Sequence, residues 1–323
     1  MSIRQHLATY GVALFIVLAL NFVLPRLMPG DPLMAIYGDE ALIAMTPQLK
    51  SILIERFALD QPLWHQFTAY IAALFRGDLG YSYYFRAPVL QIIGGSLPWT
   101  LLVVGSSLIL STVLGIWLGI ESGWARGSRT DRSLLTGLMV VNGFPDFFLG
   151  LVFLIIFGVL MGVLPLSGAF TPYSGLTGGA LLLDVLRHAV MPVMALTIAH
   201  LAGGYLLTRN TMLSVLRAPF MTTARAKGLS PLALKYHHAG RNSMLPVVTR
   251  TGILLGRVVA GALFVELVFA YPGLGSLTYQ ALLARDYPLI QGIFLIVGLS
   301  VLVANFGVDL IYPKLDPRVS HAH

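Results

Sequence analysis

Six stretches of this chain run for about twenty residues with little but apolar side chains, the length an α-helix needs to cross the roughly 30 Å hydrocarbon core of a bilayer. They fall at residues 7–27, 99–120, 134–161, 188–207, 247–269 and 288–311. In lipid every backbone polar group must be satisfied within its own segment, so such runs fold as helices. Composition agrees: 56% of the 323 residues are hydrophobic and 11% are charged, against roughly 25% charged in a soluble globule. The sequence predicts an all-α polytopic membrane protein with six transmembrane helices. The third run is interrupted at Gly143-Phe144-Pro145, where a bend or break is expected. The first run follows Arg4 much as a signal peptide would. No small-residue cleavage site follows it, and Pro25-Arg26-Leu27-Met28-Pro29 does, so it reads as the first membrane helix.

Lys and Arg in short loops orient such a chain, because basic loops stay in the cytoplasm. Residues 121–133 carry Arg126, Arg129 and Arg132. The next basic loop carries Arg209, Arg217, Arg225, Lys227, Lys235 and Arg241, with no Asp or Glu among residues 209–241. The tail carries Lys314 and Arg318, whereas loops 162–187 and 270–287 hold only Arg187 and Arg285. Both termini are therefore expected in the cytoplasm. The formal net charge of +7 belongs to this topology and does not call for nucleic acid, since there are no aromatic-basic RNA-binding repeats. Residues 28–98 then lie outside, as a periplasmic cap with amphipathic helices at 52–57 and 63–75. In the second of these, Trp64, Phe67, Tyr70, Ile71 and Leu74 fall near one face. The expected organisation is a cytoplasmic N-terminus and first helix at 1–27 and the cap at 28–98. A core at 99–311 follows, containing the cytoplasmic loop 208–246, and a cytoplasmic tail at 312–323.

That loop reads Thr223-Ala224-Arg225-Ala226-Lys227-Gly228-Leu229, with Leu245-Pro246 where the fifth run opens. Ala224 and Ala226 favour a helix and allow close approach. Gly228 would end a first short helix. Ser230 would cap a second, with Pro231 at its first position, running through Lys235, His237 and His238 toward Asn242. The residues alone support two readings: a rigid knob for a soluble partner, or a positive loop that only fixes topology.

From end to end the chain resembles the B-type permease subunits of dipeptide, oligopeptide and nickel importers of the ATP-binding-cassette class. The resemblance is carried by Pro29-Gly30-Asp31-Pro32, Leu59-Asp60-Gln61-Pro62 and Gly77-Asp78-Leu79-Gly80-Tyr81-Ser82. It continues through Ala224-Arg225-Ala226-Lys227-Gly228-Leu229 and Arg241-Asn242-Ser243-Met244-Leu245-Pro246. Glu266-Leu267-Val268-Phe269-Ala270-Tyr271-Pro272-Gly273-Leu274-Gly275 and Arg285-Asp286-Tyr287-Pro288 follow, and Val308-Asp309-Leu310 and Leu315-Asp316-Pro317-Arg318 close it. The resemblance implies a type I importer fold in which residues 224–246 couple to the ATPase. The implied coupling set is Thr223, Ala224, Arg225, Ala226, Lys227, Gly228, Leu229, Arg241, Asn242, Leu245 and Pro246. It also implies a second related permease, two ATPase subunits that bind ATP and Mg, and a periplasmic or lipid-anchored solute-binding protein, all beside membrane lipid. The general importer motif begins with an acid, where this chain has Met221-Thr222-Thr223.

No Gly-x-x-x-x-Gly-Lys-Ser/Thr loop occurs, so this chain is not expected to bind or hydrolyse nucleotide. There is no Cys, which excludes disulfides and thiolate chemistry. His200, His237-His238, His321 and His323 lack the spacing of a metal site. No cofactor or metal is expected in this chain, and it does not read as an enzyme.

Charges inside apolar runs are costly and mark paths or interfaces. Asp146 follows the Pro145 break and is read as a cavity residue. Arg250 and Arg257 are seven residues apart on one helical face. Arg250 lies near the cytoplasmic end, where it is able to snorkel. Arg257 either meets an anionic group on the cargo or pairs with an acid of the partner permease. Glu266 reads as a gate or interface carboxylate, or as a hydrated interfacial acid. Asp309 reads as an end-of-helix anchor near Lys314. Lone His200 reads as a packed residue. The pairs Gly94-Gly95, Gly178-Gly179 and Gly203-Gly204 read as turns or close helix packing. The importer reading has two rivals, an ion-coupled secondary transporter acting without ATPase subunits and an intramembrane enzyme. The first needs a buried acid or His cluster, and the second lacks a nucleophile pair or metal triad.

Overall fold

A computed structural model describes residues 3–23, 43, 45–56, 61–82, 84–257 and 263–315. Among these residues the regular structure is helical apart from one short ribbon. Helix α1 (Ile3–Val23) is followed by α2 (Pro47–Arg56) and α3 (Leu63–Phe75). Strands β1 (Tyr81–Ser82) and β2 (Ala87–Pro88) pair antiparallel, with Tyr81 opposite Pro88 and Ser82 opposite Ala87. Helix α4 (Val89–Trp124) contains a π-helical turn, Leu101–Gly105. Then come α5 (Arg129–Val141), α6 (Asp146–Leu160), α7 (Gly178–Val215) and α8 (Pro219–Ala226). A π-helical stretch, Ala233–Gly240, runs directly into α9 (Arg241–Arg257). Helices α10 (Leu263–Val268), α11 (Leu274–Leu283) and α12 (Tyr287–Leu315) complete the chain.

Helices α4 and α7 and the Tyr287–Gly307 part of α12 are long and apolar enough to span a membrane, and α5 with α6 makes a fourth span if that bent pair counts as one. The protein is thus an all-α, multi-pass membrane protein. Several helices differ from their apolar runs. The interruption at Gly143-Phe144-Pro145 is a full break, with α5 and α6 bent by 99°. Pro145 precedes α6 in extended conformation (φ −61°, ψ 149°), which the α-region cannot accommodate without ending a helix. Helix α4 begins at Val89, inside the stretch expected to belong to the cap. Gly94, Gly95 and Pro98 oppose helix by propensity, but Val89 and Ile93 are buried, and tertiary burial overrides that preference. Gly94 and Gly95 mark neither a turn nor close packing, since both are helical and a Cβ on either would meet open space. Pro246 lies inside α9 rather than at its entrance. The Pro29-Gly30-Asp31-Pro32 motif, Leu59-Asp60, the tail beyond residue 315 and the side chains of Leu245, Arg257, Asp309 and Lys314 lie outside the described residues.

The chain forms two compact units. The first draws on Met1–Thr100, Val259–Leu263 and Pro272–Val303. Here α1 and α12 hold each other through a reciprocal pair of bonds: Asn21 Nδ2 donates to the Gln291 carbonyl (3.1 Å) and Gln291 Nε2 to the Asn21 carbonyl (2.6 Å). Inside lipid such amide pairs replace the water these groups would otherwise need. Phe67 of α3 packs edge-on against Phe22 and Phe15 of α1, with ring centroids 5.2 and 6.2 Å apart. Phe67, Tyr70, Ile71 and Leu74 are all partly buried, the face expected from the sequence, while Trp64 at its end stays exposed. Val89 and Ile93 of α4, Leu274, Leu277 and Ala281 of α11, and Leu289 and Ile293 of α12 form this unit's core.

The β-ribbon is fastened to the turn before α12. Buried Ser82 donates its hydroxyl to Asp286 Oδ2 and accepts from the Phe85 N–H (3.0 Å), while Asp286 Oδ1 accepts from the Leu289 N–H (3.2 Å). Burial pushes the Asp286 carboxyl above its ordinary value of 3.8, against the opposing pull of these hydrogen bonds. The folded state therefore holds the proton more tightly than the unfolded state. This stability contribution is fully present below 3.8 and is lost as pH rises through the raised value. Asp286→Asn is expected to flatten that part of the pH profile of the unfolding temperature in detergent; a wild-type profile in the variant would refute the assignment.

The second unit draws on Leu101–Val258, Phe264–Tyr271 and Ala304–His323. Its centre is the contact of α4 with α7, built on Gly115, Gly119 and Gly123. These are spaced by four, so they share one face of α4. A Cβ at Gly115 would lie 3.0 Å from the Tyr205 backbone nitrogen, at Gly119 2.5 Å from Thr208 Cβ, and at Gly123 2.7 Å from Met212 Cβ. Small residues at this spacing let two backbones touch, and in lipid that packing is itself the driving force.

Candidate coupling site

Helix α8 starts with Pro219 in its first turn, where a missing N–H costs nothing. It ends at Lys227, and Gly228 turns the chain away with φ +72°, a conformation that favours glycine. Ser230 then caps the next helix as its chemistry predicts: its Oγ accepts from the Ala233 N–H (3.3 Å) and its carbonyl from the Leu234 N–H (3.0 Å). That second helix does not stop near Asn242, but continues as α9. Asn242 and Ser243 instead bond back one turn, to the carbonyls of His238 and Ala239 (both 2.7 Å).

One face of α8 is anchored. Met221 and Ala224 are buried with Ile120 of α4, Met212 of α7, and Leu234 and Ala239 of the π-helical stretch. The other face is open: Thr223, Arg225, Ala226, Lys227, Gly228 and Leu229 are exposed, as are Phe220 and Leu232 nearby. Of the sequence-predicted coupling set, Ala224 therefore faces inward and supports the fold, while its neighbours are presented outward. Arg241 is also exposed, Asn242 is partly buried, and Pro246 is exposed.

Two of the six basic residues in this region are internal ties, which the sequence reading missed. Lys235 Nζ sits 2.6 Å from Glu121 Oε2, and the Tyr236 hydroxyl donates to Glu121 Oε1. Arg209 grips Asp131 with both arms, Nε to Oδ1 at 2.7 Å and Nη2 to Oδ2 at 2.9 Å. Asp131 also accepts from the Ser122 hydroxyl and the Gly127 N–H (2.8 Å), and its own N–H is capped by Ser128 Oγ (3.1 Å). Ser122 in turn meets the Tyr205 hydroxyl at 2.6 Å. The loop between α4 and α5 is thus pinned to α7. Among the described residues, Arg217, Arg225, Lys227 and Arg241 make no ion pair, which leaves a basic surface around the exposed face of α8.

The expected path residues are placed as follows. Asp146 opens α6, half-buried, and accepts from the Phe147 N–H (2.9 Å). The Arg250 guanidinium lies against Gly203 of α7, where a Cβ would come within 2.5 Å of Nη2. Gly203-Gly204 is therefore a close-packing site, and Gly178, with φ +58°, turns the chain into the start of α7. His200, partly buried, stands on α7 three residues before Gly203. Glu266 in α10 is fully buried with 0% exposure, and therefore enclosed rather than facing water. Among the described residues no cluster of three or more His, Cys, Asp or Glu side chains is arranged to hold a metal ion.

Comparison with known proteins agrees with this architecture. Residues 111–321 match the family described as binding-protein-dependent transport system inner membrane component. The chain is 34% identical to the di/tripeptide transport system permease protein DppB of Pseudomonas aeruginosa, over 99% of its own length and 98% of the relative's. It is 33% identical to the dipeptide transport system permease protein DppB of Escherichia coli K12, with 94% and 93% of the two chains covered. It is 35% identical to the glutathione transport system permease protein GsiC of Escherichia coli O6:H1, with 95% of each covered. The chain belongs to the family of binding-protein-dependent transport system inner membrane components. It is a non-catalytic membrane permease subunit, the part of such a system that lies in the bilayer.

Proposed function

We propose that this chain forms half of the translocation path of an ATP-driven importer of small peptides in a bacterial cytoplasmic membrane. It works with a second related permease, two ATPase subunits that carry ATP and Mg, and a periplasmic or lipid-anchored binding protein. Peptide cargo is suggested by the relatives' names, two of which specify di- or tripeptides and one glutathione. In this reading the chain crosses the membrane six times with both termini inside, as its loop charges favour. Residues 28–98 cap the outer face, with α3 lying along the lipid surface and exposed Trp64 at the headgroup level.

One observation carries the coupling role. Helix α8 is rooted on its inner face by Met221 and Ala224, and it offers Thr223, Arg225, Ala226, Lys227 and Leu229 outward. A short helix fixed on one side moves as a body with what it is fixed to. ATP binding draws the docked helices together, α8 transmits that displacement to α7 and α9, and hydrolysis resets the path. The nucleotide thus biases an equilibrium that the permeases possess already.

Ala226→Trp tests this. Ala226 is exposed, so the larger ring leaves the fold intact yet stands where the ATPase must sit. Expected are normal amounts of permease, loss of the ATPase subunits on co-purification and a drop in uptake of about tenfold or more, the scale of an interface hot spot. Retention of the ATPase subunits at full uptake would remove α8 from the interface.

A further inference from the structure

The connection between α6 and α7 is built to stay still, although residues 161–177 contain no helix or strand. Leu166 enters the notch left by Gly158, where a Cβ would lie 2.6 Å from Leu166 Cδ2. The Gly168 N–H donates to the Phe269 carbonyl (2.9 Å). Two further ties run to α7 itself. Arg187 Nη2 donates to the Val163 carbonyl (2.8 Å). Thr171 is fastened twice to Asp184, its N–H to Oδ2 (2.6 Å) and its hydroxyl to Oδ1 (2.9 Å).

Two residues past Thr171, this firmly held segment turns one large side chain away from the fold. Tyr173 is fully exposed, and its backbone is left-handed, with φ +56°. That region favours glycine. A residue with a Cβ enters it at a cost, and persists there only where the surrounding structure imposes it. Here the cost secures no packing within the chain, because the ring stands clear of the described residues. Residues 161–183 also carry no charge. The centre of a protein interface is likewise poor in charge, and Tyr is among the residues that dominate its binding energy.

We propose that the α6–α7 connection is a docking surface for the soluble solute-binding protein, with Tyr173 as the anchor that enters a pocket on it. This rests on the importer reading given above. Helix α7 crosses the membrane between this connection and α8, so with α8 at the ATPase subunits Tyr173 stands outside. Lipid is the poorer occupant, since a headgroup layer accepts an aromatic ring in any orientation and asks for no imposed backbone. The second permease is also the poorer occupant, because permanent subunit contacts are broad and core-like. One projecting ring suits a partner that binds and leaves in every cycle. A loop ordered beforehand loses little freedom on docking, and Tyr brings a large contact area on few torsions.

The test uses the complete transporter in lipid nanodiscs, titrated with its purified binding protein. Tyr173→Gly removes the ring and relieves the left-handed strain. Expected is binding weakened by about tenfold or more, the scale of a truncated hot spot, with an unfolding temperature no lower than that of the unmodified complex. Tyr173→Phe should keep most of the affinity. Thr171→Val, which loses one of the two bonds to Asp184, should lose less than Tyr173→Gly. The fluorescence that Tyr173→Trp adds to the complex should shift when the binding protein is added and be indifferent to brominated lipids. Unchanged affinity in Tyr173→Gly, quenching of Tyr173→Trp by brominated lipids, or loss of the second permease from Tyr173→Gly on purification would each overturn the assignment. The second outcome would make Tyr173 a lipid contact and the third a subunit contact. The chain has no Cys, so Tyr173→Cys checks the topology separately. Labelling of this chain by a membrane-impermeant maleimide from the cytoplasmic side alone would overturn the orientation in the importer reading, and the docking surface with it.

Discussion

Gly119→Leu is expected to abolish recovery of folded protein from membranes. The reason is geometric. Even the first atom of a side chain at Gly119 would lie 2.5 Å from Thr208 Cβ and 2.8 Å from the Tyr205 carbonyl oxygen. The second of these is backbone, in a helix held on both sides, so it cannot swing aside as a flexible side chain would. Overpacking a close-packed interior costs about 1–3 kcal/mol where neighbours can adjust. Here the two helix axes must separate, and Gly115 and Gly123 would lose their contacts in the same movement. Gly119→Ala should be milder but still lower the unfolding temperature in detergent, and adding Thr208→Gly should recover part of the loss. Gly137→Ala in α5, where a Cβ meets nothing within 4 Å, is the control and should be neutral or slightly stabilising. Normal yields of Gly119→Leu would mean that α4 and α7 do not touch through this face.

Asp131→Ala is the second large effect. The Asp131 side chain is 3% exposed and that of Arg209 13%. Removing the carboxylate leaves a buried guanidinium, the Ser122 hydroxyl and the Gly127 N–H all without their acceptor. Breaking one side of such a pair typically costs about 3–5 kcal/mol, because the charge left behind remains desolvated. The exchanged pair, Asp131→Arg with Arg209→Asp, should not rescue it. Opposite charges would again face each other, but Ser122 and Gly127 would then donate toward a cation. A double-mutant cycle on unfolding midpoints measures the difference, and full rescue by the exchange would reduce the clamp to simple charge attraction. Because Ser122 also meets Tyr205, the damage should spread to the α4–α7 seam.

These two predictions rest on features of different legibility. The glycine spacing was present in the sequence. Among the adjacent pairs, Gly203-Gly204 does pack closely, but Gly94-Gly95 are ordinary helix positions with open space around them. A four-residue spacing of small residues across Gly115, Gly119 and Gly123 is the stronger signal, because it places all three on one face. The Asp131–Arg209 clamp was not legible, since its partners are 78 positions apart and nothing local announces the pairing. What local chemistry controls was read well. Gly228, Ser230 and Pro231 punctuate the coupling segment as their φ preferences and capping groups dictate, and Pro145 breaks the third apolar run. What tertiary contact controls was read less well. The start of α4 at Val89 overrides Pro98 and two glycines, and the inward face of Ala224 depends on Met212 and Leu234 being there to meet it. Burial of Glu266 likewise needs the folded surroundings of α10, which no spacing rule supplies.

Helix α7 has one further consequence. It runs unbroken for 38 residues, about 57 Å, nearly twice the thickness of the hydrocarbon layer. Pro192 lies inside it, and a helix yields most readily where a proline removes a backbone bond. From His200 to Val215 there is no proline, so the segment bearing Gly203, Thr208 and Arg209 is a stiff lever arm. Pro192 lies on the side of this arm away from α8. If α8 is where an ATPase subunit pulls, the pull would carry Gly203 and the Arg250 side chain against it as one piece, with Pro192 as the point where α7 can bend.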